Sequence, residues 1–516
     1  MRLRFLFSGL FLPLASCSPT PPGPNVVLIS VDSLRQDHLG LYGRVAEFAP
    51  DIPVSPFVDA VGDAGAVFDC AWSSTSWTLP SHMALMTGMS DRWHGVETDH
   101  FALDPLRKTM AEAFQEEGYQ TAGFYSGPYL DSRYGFSRGF QEYRYTVSAE
   151  SLVGLPEVRT GSEAVISSPT VADAGIQFLE EHQEDSFFLF LHFFDAHFDY
   201  VPDEAQQGLA KVFDPNYAGD YDGHGWYTDP QVRSPKPPHS RRIGERDLAH
   251  IRALYDAEIH WVDIHIGRVL QKLEDLGLRE NTILAFVGDH GDEFFEHDSI
   301  GHSTTLYSEV AKIPFYLQGP GIPSGKRFSE VVRIYDMAPT LLDYAGLSPL
   351  ADAEGISLQP LMKGKSDPRP GALSRVYVAH EDKPFNLRDA WRDARFTVLR
   401  VMTPTFENGF LELSAYVYPP IQSPYLVFDR QTDPGEHQPL APQDPRFQEA
   451  VQRFSRDFRV SEAGYAKLLH SAPEDCYADA LSSEQSAALA ELGYVHGEDS
   501  VERPPFLPSF PTPVLP

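Results

Sequence analysis

Thr78-Leu79-Pro80-Ser81-His82 puts a hydroxyl at the start of a predicted helix, with a proline inside the first turn, where its missing N–H has no partner to lose. The free N–H groups and positive end of such a helix stabilise an alkoxide or a bound anion. Two other segments carry groups that could activate the hydroxyl. The apolar run Asn25–Val31 ends in Asp32, and the run Thr282–Gly288 ends in Asp289-His290. Each is rich in β-branched residues, too short for a helix and bounded by polar or turn residues, so each reads as a buried strand. Ligands in open α/β sheets gather at the carboxyl ends of strands. Asp32, Asp289, His290 and the Thr78 oxygen therefore form a candidate site for one divalent metal ion. Such an ion lowers the pKa of the hydroxyl and makes Thr78 a nucleophile near neutral pH.

Each of these residues also has a plainer reading. Asp32 and Thr78 are both common N-cap types, and an Asp-His pair alone is often a salt bridge beside a surface imidazole. An unpaired carboxylate at the end of a buried strand is costly, however, unless a cation meets it. The donor set mixes oxygen and nitrogen, which suits Mn²⁺ or Zn²⁺ at least as well as Mg²⁺ or Ca²⁺. A third apolar run, 186–192, leads into His192, Asp195 and His197, and His302 stands in Gly301-His302-Ser303. Histidines placed this way can donate to an anionic oxygen or protonate a leaving group. His192, which closes the apolar run itself, reads as a satisfied core residue. Ser76 is a second hydroxyl near the candidate nucleophile.

Residues 25 to about 440 resemble the sulfatase family of the alkaline phosphatase superfamily. That family's nucleophile motif reads Cys or Ser, any residue, Pro, Ser, Arg, and its first residue is oxidised to formylglycine. Here Thr78 stands at the nucleophile position and His82 at the arginine position. Ser33 replaces the second aspartate that many members carry after Asp32, which weakens the case for calcium. The resemblance implies that His197 binds substrate and donates a proton. It places His302 where sulfatases commonly carry a lysine that grips sulfate oxygens. The family's Gly-Lys-Trp-His segment is absent, its region reading Phe124-Tyr125-Ser126-Gly127. Glu293, Glu296-His297 and Gly301-His302-Ser303 match the family's continuation after Asp289-His290.

Positioning such a site takes a large α/β scaffold. Strand-like and helix-like segments alternate from residue 25 to about 365, with helical spacing over 110–117, 171–182 and 248–276. This βαβ rhythm predicts a large, mostly parallel sheet covered by helices on both faces. Residues 203–245 lack periodicity and read as a substrate-facing, lid-like insertion. Over 366–440 the pattern turns to shorter strands, predicting a smaller C-terminal antiparallel sheet with a helix. Residues 447–495 look helical, and 503–516 form a proline-rich tail.

Hydrophobic content of 42% supplies a core for such a fold. A net charge of -32 argues against nucleic acid or an anionic membrane as a partner through any basic face. The first residues are more specific. Arg2 and Arg4 precede a short apolar stretch, 5–14, and Leu14-Ala15-Ser16-Cys17 follows. A basic start, short apolar region and small residues make a secretion signal. The last four residues resemble the bacterial lipoprotein cleavage box, implying removal of residues 1–16, a lipid anchor at Cys17 and a place in the cell envelope. Residues 17–24 then form a proline-rich tether. Cys70 and Cys476 are the remaining cysteines, and an oxidising compartment would permit them to pair.

Formylglycine cannot form from threonine by the known route. The first expectation is therefore a metal-dependent hydrolase of phosphoesters or phosphonate esters with Thr78 as nucleophile. A second is a sulfuric ester hydrolase working through unmodified Thr78 on a sulfated glycan or small molecule. A third is an envelope lipoprotein that binds an anionic ester without catalysis, for which Asp289-His290 would be superfluous.

Overall fold

The computed structural model describes residues 23–146, 167–200, 208–223, 243–365, 369–380, 383–407, 410–415, 423–469, 471 and 473–478. Its strands in the larger portion are β1 (Asn25–Val31), β2 (Ala66–Trp72), β3 (Gln120–Tyr125), β4 (Glu142–Tyr145), β5 (Phe187–Phe193), β6 (Thr282–Gly288), the two-residue pair β7 (Glu293–Phe294) and β8 (Ile300–Gly301), β9 (Phe315–Gln318) and β10 (Lys326–Arg333). Eight of them form one sheet in the order β10-β2-β9-β6-β1-β5-β3-β4. Only β9 runs against its neighbours. The two apolar runs that end in Asp32 and Asp289-His290 are adjacent parallel strands, Val31 lying opposite Gly288. Their polar ends are thereby delivered to the same edge of the sheet.

The main helices are α1 (Pro56–Asp63), α2 (Thr78–Thr87), α3 (Met110–Glu116), α4 (Ser168–Glu181), α5 (Glu245–Asp275), α6 (Met337–Tyr344) and α7 (Pro445–Tyr465). Alternation along β1 divides the core. Val27, Ile29 and Val31 pack with α1, α4 and α5, whereas Val26 and Leu28 pack with α2, α3 and α6. Both faces of β1, β5 and β6 are buried, which is why these strands read as continuous apolar runs.

A second sheet is built from β11 (Ala372–His380), β12 (Lys383–Arg392), β13 (Phe396–Glu407), β14 (Phe410–Ala415) and β15 (Tyr425–Asp429), all antiparallel. Its longest strands exceed those of the large sheet, contrary to the expectation of shorter ones. Helix α7 lays Phe447, Val451, Phe454 and Phe458 onto Trp391, Phe396 and Val427. Within the stretch expected to be helical over 447–495, helix α7 ends at Tyr465, and Pro473 opens a single short turn to Cys476. Residues 479–516, with the expected tail, lie outside the described residues, as do the expected signal segment and Cys17.

Part of the insertion expected over 203–245 is seated against the body of the protein. A short helix, Leu209–Phe213, packs on α5, and the Tyr217 ring stacks on His250 at 3.5 Å between centroids. Asp214 accepts from His250 Nδ1 at 2.7 Å and from Arg246. The flanking stretches 201–207 and 224–242 lie outside the described residues. Cys70 and Cys476 are both free thiols.

Candidate active site

Thr78 is the first residue of α2, and Trp77 is the residue that caps it. The Thr78 hydroxyl makes no capping bond. It points instead at Asp32, 3.2 Å from Oδ2 and 3.4 Å from Oδ1, and lies 3.4 Å from His290 Nε2. Asp32 caps no helix either. One ligand atom each from Asp32, Asp289 and His290 lies within 4.8 Å of the others, close enough to share one ion. All three side chains are fully buried.

The donor chemistry fits a divalent cation. His290 Nδ1 faces the Gly291 carbonyl at 3.1 Å. A carbonyl only accepts, so the proton sits on Nδ1 and the Nε2 lone pair is turned toward Asp32, Asp289 and Thr78, the tautomer a metal ligand needs. Asp289 Oδ1 accepts the Ser33 N–H at 3.0 Å and the His290 N–H at 2.8 Å. Its Oδ2, 3.3 Å from His290 Nε2, has no hydrogen-bond partner among the described residues. An orphaned buried carboxylate oxygen beside an imidazole lone pair calls for a cation.

Electrostatics point the same way. Burial alone would raise Asp32, but His192 and the nearby His197 and His290 rings hold it well below the usual carboxylate range. Burial and the charge on Asp32 push Asp289 well above that range. Two carboxylates this close do not both ionise without a cation. Burial also depresses His290 and His82 to about 3 and His197 to about 4, with neighbouring imidazoles adding to it. These rings are therefore neutral near pH 7.

Ser33 does more than vacate a ligand position. Its backbone is left-handed (φ 54°), which turns its N–H onto Asp289, while its hydroxyl donates to Asp32 Oδ1 at 3.1 Å. The Tyr255 hydroxyl holds the Ser33 carbonyl at 2.6 Å. Helix α2 is tied down at both sides of the nucleophile. His82 donates from Nδ1 to the Thr78 carbonyl at 2.9 Å and accepts at Nε2 from Ser30 Oγ at 2.8 Å. With both nitrogens engaged, His82 braces the helix against β1 and has no proton to give. Ser81 Oγ donates to the Asp289 carbonyl at 2.7 Å. Ser76, the alternative nucleophile, uses its carbonyl to accept the Ser303 N–H at 2.8 Å, and its own hydroxyl is buried.

His197 and His302 do come together over the site. Their ring centroids are 5.0 Å apart, and His302 lies 4.5 Å from His290. His197 Nδ1 donates to the Phe198 carbonyl at 2.8 Å, and Phe194 stacks on its ring. His302 Nδ1 is held by Asp292 Oδ1 at 2.6 Å. Asp292 also accepts from the Tyr200 hydroxyl, and despite its burial His302 keeps it below the usual carboxylate range. Asp292 was overlooked in the sequence, although the string Asp289-His290-Gly291-Asp292 contains it. Arg35, which binds the Asp292 carbonyl at 3.0 Å and Glu296 at 2.6 Å, carried no signal at all.

The structure corrects the reading of His192. It is not a satisfied core residue: Nε2 lies 3.3 Å from Asp32 Oδ2, and neither ring nitrogen has a proper hydrogen bond among the described residues. Asp195, by contrast, is structural, accepting the N–H groups of Ser167 and Ser168 at the start of α4.

The smaller sheet braces the loops that carry these groups. From β11, Ser374 Oγ donates to the Ser73 carbonyl at 2.6 Å and Arg375 N–H to the Ser74 carbonyl at 2.7 Å. Arg388 and Arg392 of β12 bind the carbonyls of Thr304 and Leu306.

Because Asp289 must lose its proton to bind an ion, Mn²⁺ affinity is expected to rise with pH and binding to release a proton. Calorimetry in buffers of different ionisation enthalpy checks both. Asp289→Ala is expected to abolish the Mn²⁺ signal; affinity independent of pH with no proton release would contradict the charge assignment.

The chain matches the family model described as Sulfatase over residues 24–347. An arylsulfatase of Clostridium perfringens is 27% identical over 390 residues, covering 66% of this chain and 79% of its own. The Delta 4,5-hexuronate-2-O-sulfatase of Bacteroides thetaiotaomicron is 24% identical over 451 residues, covering 82% and 85%. Among solved structures, a 2-O GAG sulfatase aligns with a TM-score of 0.64 at 20% identity, covering 88% of this chain and 96% of its own. The phosphonate monoester hydrolase of Agrobacterium radiobacter aligns with a TM-score of 0.62 at 21% identity, covering 86% and 96%. The large sheet with its Asp32–Asp289–His290 cluster, the added antiparallel sheet and the match over residues 24–347 agree: this chain belongs to the sulfatase family of the alkaline phosphatase superfamily, a family of ester hydrolases.

Proposed function

We propose that the protein hydrolyses phosphoesters, with phosphodiesters and phosphonate esters favoured, using Thr78 as a covalent nucleophile. The observation that carries this reading is the Thr78 hydroxyl, which leaves its helix uncapped and faces Asp32 and His290. A threonine hydroxyl forms a stable phosphoester that water can later open, whereas it offers none of the chemistry of a formylglycine hydrate. Asp32, Asp289, His290 and Thr78 would hold one divalent ion, of Mn²⁺, Zn²⁺, Mg²⁺ or Ca²⁺ type. That ion supplies positive charge to the hydroxyl and to the ester oxygens.

The remaining work falls to the chain's own groups. Thr78 Oγ1 gives up its proton to solvent and bonds to phosphorus as the bond to the leaving alkoxide breaks. His302, its Nδ1 held by Asp292, is the donor that protonates the departing oxygen. His197, held by a neutral carbonyl, orients a non-bridging oxygen. Water then attacks phosphorus with His302 as base, the bond to Thr78 Oγ1 breaks, and the hydroxyl regains its proton. His82 keeps the start of α2 in place and takes no part in proton transfer. Positions 82 and 302 hold histidines where the family carries arginine and lysine, which leaves less positive charge and favours a substrate with a single negative charge.

Sulfate esters are the second reading, favoured by the names of the relatives, and the same residues would serve it. Hydrolysis of nitrophenyl sulfate, phosphate, phosphodiester and phosphonate esters, each with added Mn²⁺, Zn²⁺, Mg²⁺ or Ca²⁺, separates the two. Phosphodiester or phosphonate turnover that falls at least about a thousandfold in Thr78→Ala is the expected result. Turnover of the sulfate ester alone would return the protein to sulfate chemistry. Inactivity on all four would favour a non-catalytic binding role.

We also propose that the chain is exported and held in the bacterial envelope by a lipid on Cys17, on the strength of its basic start, short apolar stretch and Leu14-Ala15-Ser16-Cys17. Palmitate label that enters the protein in growing cells and is absent from Cys17→Ala is the expected outcome; equal label in both would remove the anchor.

A further inference from the structure

His192 is placed by strand register. β1 and β5 pair in parallel with Ser30 opposite His192, and the pairing continues past β1, where the Asp32 N–H donates to the Phe193 carbonyl at 2.9 Å. Alternation sends Ser30 and Asp32 to one face of β1, so the His192 ring lies beside both. Its Nε2 is 3.3 Å from Asp32 Oδ2, and the ring is fully buried. On its other side His82 meets it edge-on at 4.8 Å between centroids. The room for the ring is made by Gly127, where a Cβ would come within 2.8 Å of His192 Cε1. Ser126 Oγ fixes the strand at that point by donating to the His192 carbonyl at 3.0 Å.

A buried imidazole with no full hydrogen bond costs stability, and an apolar side chain would fill the same space without that cost. Among the described residues, the acceptor nearest its Nε2 is Asp32 Oδ2, at 3.3 Å. The other oxygen, Oδ1, lies 3.7 Å from Nε2 of His290, a residue of the candidate metal site. Carboxylates that ligate metals are themselves held by hydrogen bonds, and losing such a bond weakens metal binding by about 10- to 100-fold.

We propose that His192 is a positioning residue for the metal: its Nε2–H donates to Asp32 Oδ2 and turns the carboxylate so that Oδ1 faces the ion. Gly127 is its counterpart, the position that must stay without a side chain for the ring to reach. The role rests on the metal site of Asp32, Asp289 and His290 and is independent of whether Thr78 is the nucleophile.

The test is titration of Mn²⁺ into the metal-free full-length protein, read by calorimetry, with thermal unfolding of the metal-free forms alongside. His192→Phe is expected to bind Mn²⁺ at least about tenfold more weakly while its metal-free form unfolds no earlier than wild type. His192→Gln, which keeps an N–H donor, is expected to bind close to wild type. Gly127→Ala, which displaces the ring, is expected to fall between. A purely structural residue would shift unfolding and leave affinity alone. Equal Mn²⁺ affinity in wild type and His192→Phe overturns the proposal, as does equal weakening by Phe and Gln. If His192→Phe does not fold, unchanged affinity in Gly127→Ala overturns it.

Discussion

Two carboxylates, Asp32 and Asp289, sit fully buried within reach of one ion, and most of the surrounding structure answers to that constraint. Neither could be exposed to water without losing the site, and without a cation both cannot be charged. The fold supplies directional partners for three of the four oxygens: the Ser33 hydroxyl on Asp32 Oδ1, the Thr78 hydroxyl on Asp32 Oδ2, and the Ser33 and His290 N–H groups on Asp289 Oδ1. The left-handed backbone at Ser33 is part of this arrangement, in which one residue serves both carboxylates. What remains unmatched, Asp289 Oδ2 and the His290 lone pair, faces inward to the place where positive charge is needed.

The nucleophile is held with the same economy of motion. Helix α2 is buried along its whole length, so it cannot slide without breaking core packing. His82, Ser81 and Ser76 fix its first turn to β1, to the Asp289 carbonyl and to the loop bearing His302. The smaller sheet then pins that loop and the segment before Thr78 from outside. Chemistry and packing are thus coupled across both sheets, and the C-terminal part is a brace for the site as well as an appendage. Preorganised groups of this kind lose little to reorganisation when charge develops.

Much of this was legible in the residue pattern. Strands buried on both faces read as uninterrupted apolar runs, so β1, β5 and β6 and the polar residues at their ends stood out. Thr78 and Pro80 marked the start of a helix by local rules that hold whatever surrounds them. Other parts depend on contacts that sequence order does not carry. His192 looked like core because a buried imidazole and an apolar neighbour follow the same alternation; only the β1–β5 register brings it to Asp32. Asp292 and Arg35 belong to a network closed over more than 250 positions, Arg35 to Asp292. His82 took the place of an arginine in the motif, yet its two hydrogen bonds make it a brace. Helical spacing runs on past Tyr465, where helix α7 ends and the chain makes only a short turn at Pro473–Cys476.

The claim on which the account turns is that Thr78 becomes covalently attached to the transferred group. Rapid acid quench during turnover of a phosphodiester with Mn²⁺, followed by proteolysis and mass spectrometry, reads this directly. The account predicts a phosphoryl adduct confined to Thr78 in the peptide that contains it, absent before substrate is added and gone after substrate is exhausted. Turnover at full rate with Thr78 unmodified at every time point, or an adduct on another residue, would contradict it.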